Sequence, residues 1–114
     1  MALVIKQLGV AVADAAAEKV RVAVPRGPIR IWIKNTGAVA LGAAGEADIL
    51  LAPETATGHD VVFDNTTFAS LAAGVVKQLV LESLVIGVLS IVLGGAAGAT
   101  TVDIYVVSPE PAGS

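Results

Sequence analysis

The sequence predicts an all-β fold, a β-sandwich or jelly-roll-like barrel of about eight or nine short strands. Three observations carry this reading. Valine, a β-branched strand former, occurs 18 times in 114 residues. Several segments alternate apolar and polar residues with a period of two. Turn residues recur about every 8–12 positions, the spacing of short antiparallel strands.

Taken in order, the N-terminal stretch "ALVIKQLGVAVA" (2–13) alternates loosely. It suits either the first strand of a sandwich or an arm, within residues 1–18, that adds to an edge on a neighbouring subunit. In the arm reading, Leu3 and Ile5 are apolar contacts. A cleaved signal is not expected, because Lys6 interrupts the apolar run and no basic region precedes it. "ADAAAEKV" (13–20) holds good helix formers, and Asp14 could cap a two-turn helix.

The clearest alternation follows. In "KVRVAV", Val20, Val22 and Val24 share a face; in "IRIWIKN", Ile29, Ile31 and Ile33 oppose Arg30, Trp32 and Lys34. Successive strand side chains point to opposite faces, so both segments read as half-buried strands. "PRGP" (25–28) cannot continue a ladder and reads as their connection. "KNTG" (34–37) reads as a turn, with Asn35 and Gly37 suited to positive φ. "AVALG", "ADILLA", "VVF" and "FASLA" supply further short strands, punctuated by the loop "ETATGHD" and the turn "DNTT". In "VVKQLVLES", Val75, Lys77, Leu79 and Leu81 oppose Val76, Gln78, Val80 and Glu82. "TTVDIYVV" places Val102, Ile104 and Val106 opposite Asp103 and Tyr105. The closing "SPEPAGS" (108–114) is polar and Pro-rich, a flexible tail on a single domain spanning 1–114.

"SLVIGVLSIVLGGAAGATTV" (83–102) runs twenty residues without a charge. That is long enough for a membrane-spanning helix. However, Gly94, Gly95 and Gly98 crowd its second half, no aromatic belt flanks it, and no Lys or Arg follows. It reads instead as a buried hairpin joining "VIGVLSIVL" to "TTVDIYVV". A strand apolar on both faces is expected to meet the core on one and a partner chain on the other.

Composition bounds the function. Hydrophobic residues make up 55% and charged residues only 15%, against roughly 25% charged in ordinary soluble chains. One small domain cannot hide that much apolar surface, so lipid or other chains should cover the excess. A net charge of −3 leaves no footprint for nucleic acid. With no cysteine, neither disulfides nor thiolate metal sites can form. His59 is the single histidine, in a loop beside Asp60, and Glu46 and Asp48 fall two apart on a face that solvent would account for. No serine has a base in pattern, "GGAAG" lacks the lysine of a phosphate loop, and "NTT" at Asn65 is a glycosylation sequon that a turn explains as well. No enzymatic activity, metal or cofactor is therefore expected. Trp32, between Arg30 and Lys34 on an outward strand face, has the composition of an interface anchor, and Tyr105 carries a similar argument.

"IRIWIKNTGAVALG" (29–42), together with "TTVDIYVVSP", resembles the small β-sandwich virion proteins of tailed bacteriophages. The resemblance covers about half the chain, and the poverty of aromatics departs from it. It implies a capsid decoration (cement) protein, a homotrimer bound to the major capsid protein on the outer head surface and made in the host cytoplasm. A small tail or fibre component with a receptor-binding role is the alternative, and a membrane protein spanning 83–102 a third.

Overall fold

The alternating segments become the two sides of a sandwich. The computed structural model describes residues 3–24, 28–52, 61–81 and 87–108. These form eight strands: β1 (Leu3–Val12), β2 (Ala17–Val24), β3 (Ile29–Asn35), β4 (Ala47–Ala52), β5 (Val61–Asp64), β6 (Val76–Leu81), β7 (Gly87–Leu93) and β8 (Thr100–Ser108). Sheet A has the order β1-β8-β3-β6 and sheet B the order β2-β7-β4-β5. All pairings are antiparallel. The first strand pairs with the last, the second with the seventh, the third with the sixth and the fourth with the fifth. That is one long hairpin rolled so that alternate pairs fall in alternate sheets, the topology of a jelly roll.

Each sheet sends one face inward. Ile29, Ile31 and Ile33 of β3 and Ile104 of β8 are fully buried against Ile49 of β4 and Leu89, Ile91 and Leu93 of β7. Val20 and Val24 of β2 complete the core, with Val22 packed at its margin. The Ile and Val side chains carry the alternation read from the sequence, since β-branched residues suit a pleated surface buried on one side.

Several expectations change. The charge-free stretch does not make a hairpin: β7 lies in sheet B between β2 and β4, whereas β8 lies in sheet A between β1 and β3. The rolled topology sends β7 and β8 to opposite sheets, so their short sequence separation does not make them neighbours. Nor does β7 leave its outer face for a partner chain. Val88 and Ser90 there are already buried within the single chain, and Glu18 Oε2 accepts the Ser90 hydroxyl at 2.7 Å. Among the described residues no helix is long and apolar enough to cross a membrane. "ADAAAEKV" gives a bend followed by β2, not a helix. "AVALG" and "FASLA" are not strands either. Leu41 makes a lone bridge to Gly95, while Phe68 and Leu71 are buried as plugs at that end of the core.

Asn35 organises that end. It is the last residue of β3, fully buried, and not in positive φ. Its Nδ2 donates to Val39 O at 2.8 Å and Leu71 O at 2.9 Å. Its Oδ1 accepts from Gly37 N at 3.1 Å and Thr100 Oγ1 at 2.9 Å. One amide thus ties both long described loops to β8. Gly37 is required by proximity rather than by φ: a Cβ there would collide with Thr100 Oγ1 and lie 2.6 Å from Thr101 N.

Candidate functional site

The outer face of sheet A is where the outward residues of four strands meet. Register fixes its rows. Arg30 of β3 lies between Val107 of β8 and Val80 of β6. Trp32 lies between Tyr105 and Gln78, and Lys34 between Asp103 and Val76. On the far side of β8, Val4 of β1 faces Val107 and Lys6 faces Tyr105. The two aromatic residues singled out from the sequence are therefore direct cross-strand partners, their Cβ atoms about 4.5–5.5 Å apart as such pairs are.

Both rings are half-buried, whereas Lys6, Arg30 and Lys34 around them are exposed. Neither the Trp32 indole N–H nor the Tyr105 hydroxyl has a hydrogen-bond partner among the described residues. The one acid in the rows is Asp103, half-buried, and its Oδ1 accepts the Gly9 N–H at 2.9 Å. That bond answers a local defect. Leu8 and Gly9 together oppose Asp103 in a β-bulge, with Gly9 at φ 64°, and the carboxylate accepts from the displaced amide. The result is an aromatic centre bordered by three cations on a chain whose net charge is −3. In contrast, the centre of the opposite outer face is closed by the Ser90–Glu18 bond and by Arg21, whose guanidinium lies 3.3 Å from Glu18 Oε2.

Of the residues picked from sequence, Arg30, Trp32, Lys34 and Tyr105 converge on this face. Ile5 does not: it turns inward and packs against the core. Leu3 opens β1 opposite Ser108. The outward residues of β1 are Val4, Lys6 and Leu8, which the arm reading passed over. Their alternation was legible, but their place beside Tyr105 depends on pairing the first strand with the last.

The other candidates carry little. His59 and Asp60 lie outside the described residues. Asp48 Oδ1 accepts the Gly45 N–H at 2.9 Å, a turn contact. Asp64 accepts from Thr66 N and from Thr67 N and Oγ1, which organises the "DNTT" turn. Among the described residues no three His, Asp or Glu side chains gather where they could hold a metal ion. No protein-family model matches the chain, and no curated protein sequence matches it either.

Proposed function

We propose that this protein is a structural virion component without catalytic activity, a decoration (cement) protein that lays the outer face of sheet A on the outside of a phage head and holds neighbouring major capsid subunits together. The observation that carries the reading is the Trp32–Tyr105 pair, central on an open sheet face, with both polar tips free of partners among the described residues and with Lys6, Arg30 and Lys34 around it. Trp, Tyr and Arg are the residues that dominate binding energy at protein interfaces, and they do so from the centre of a patch. The cations suit an acidic partner surface. The fold is compatible: double-sheet jelly rolls serve viral shells, though they also serve lectins and enzymes, so the face and not the fold is the support.

The test mixes purified protein with heads that lack it and measures binding by co-sedimentation. Trp32→Ala should weaken binding by about 30-fold or more, the loss of roughly 2 kcal/mol expected of a central aromatic anchor. Unchanged binding would remove this face from the interface. Failure of the wild-type protein to bind heads, with binding to tails instead, would move it to the tail.

A further inference from the structure

Among the described residues a second open surface lies elsewhere, along the side of the sandwich formed by β5 and β6. β1 and β2 approach each other at one side, so the opposite side is closed by the other two edge strands, β6 of sheet A and β5 of sheet B. Val61, Val62 and Phe63 are 66%, 46% and 55% exposed, and Val76 is 54% exposed. Three consecutive apolar residues cannot all be exposed unless both faces of β5 are uncovered. Among the described residues the outer edges of both strands have no strand partner. The unpaired N–H and C=O groups of an apolar edge are a template for pairing with another chain.

We infer that a second copy of this chain covers this side, β5 of each copy pairing antiparallel with β6 of the other about a two-fold axis parallel to the strands. Three features select that occupant. First, direction: β5 runs antiparallel to β4 and β6 antiparallel to β3. The short connection after β1 makes β2 run opposite to it, so β5 and β6 of one copy run in opposite directions in opposite layers. A two-fold along the strands exchanges the layers, brings β6 against β5 of the other copy in antiparallel sense, and satisfies both edges at once. Second, face: Val61 and Asp64 align with Leu51 and Ile49, whereas Lys77 and Leu79 align with Ile33 and Ile31, so all four lie on the inward side of their sheets. Third, charge: placing Val61 opposite Leu79 of the other copy, with the bulged Val62–Phe63 pair opposite Gln78, puts Asp64 opposite Lys77. Cross-strand opposite charges are favourable, and the two-fold repeats the pair in both layers of the contact. Among the described residues Lys77 has no ion pair within the chain. Sheet A of each copy then continues into sheet B of the other, and the open edges of β5 and β6 are both paired. Because both complementary edges lie on one side, the contact closes as a dimer rather than the trimer expected from sequence. The inference is independent of the shell reading, and its test needs no shells.

The chain has no cysteine, which makes disulfide trapping unambiguous. Val62→Cys and Gln78→Cys alter exposed positions that the pairing brings within disulfide reach. Oxidised separately, each variant should stay monomeric on a non-reducing gel; mixed, they should give a crosslinked dimer. Light scattering of the wild-type protein at micromolar concentration should give twice the 11.4 kDa chain mass. Lys77→Glu should raise the dissociation constant about tenfold or more, the scale of two lost cross-strand charge pairs, with an unchanged circular dichroism spectrum. A monomeric or trimeric wild-type mass would overturn the proposal. So would crosslinking of either cysteine variant alone, or a mixture that gives no crosslinked dimer.

Discussion

At the scale of single residues, Asn35 shows what a polar side chain must do to stand inside a β-sandwich. Its amide has two donors and one acceptor oxygen, and all are used, by two loop carbonyls, a loop amide and the Thr100 hydroxyl; of these, Leu71 O also accepts from Leu41 N and Gly37 N also donates to Thr101 O. An unsatisfied buried polar group costs about 1–3 kcal/mol. Asn35→Ala removes all four bonds and should lower stability by roughly 3–5 kcal/mol, measured by urea denaturation. A loss below about 1 kcal/mol would mean that the loops are held by other contacts. This role was not legible in the sequence, where "KNTG" has the composition of a simple turn. Two of the partners, Leu71 and Thr100, lie 36 and 65 residues away. By contrast, the inward set Ile29, Ile31 and Ile33 and the outward set Arg30, Trp32 and Lys34 follow from alternation alone, because a strand's period is local. Most of the candidate site was therefore visible as residues, though not as a constellation.

At the scale of elements, the strands were legible where alternation was strict and illegible where small residues let the backbone do something else. β1 is the instructive case. Its alternation breaks at Leu8–Gly9, which the sequence leaves open to a strand or an arm. The structure resolves the break as a bulge, with Gly9 at φ 64° and its amide bonded to Asp103. A residue with a Cβ is disfavoured in that conformation by about 1–2 kcal/mol. Space is not the constraint, since nothing lies within 4 Å of a Cβ built at Gly9. Gly9→Ala should therefore destabilise the fold by about 1–2 kcal/mol through backbone strain alone, and thermal unfolding will show it. No change would mean that the bulge relaxes away, and then Lys6 and Val4 would no longer keep their register beside Tyr105 and Val107. β7 teaches the converse. Its continuous apolar run suggested a hairpin with β8, because periodicity names a buried strand without naming its neighbours.

At the scale of the whole molecule, the apolar excess is distributed unevenly. The interior takes Ile, Leu and Val from both sheets, the centre of sheet B's outer face is closed by its own side chains, and what remains open is the aromatic, cation-bordered face of sheet A and the apolar β5–β6 side. The fold class was legible from valine content, period and turn spacing. Strand order was not, because the roll pairs strands from opposite ends of the chain. The two open surfaces are adjacent through Val76 and Val80, which belong to the outer face of sheet A and to its β6 edge alike. A protein that associates along one surface and docks through the other can bridge neighbouring subunits of a larger shell. The most direct test is a cryo-electron microscopy reconstruction of heads decorated with the purified protein, at a resolution that separates the two sheets. Sheet A should lie against the shell, with density connecting Trp32 and Tyr105 to a capsid subunit. Sheet B against the shell, or heads that remain bare, would contradict it.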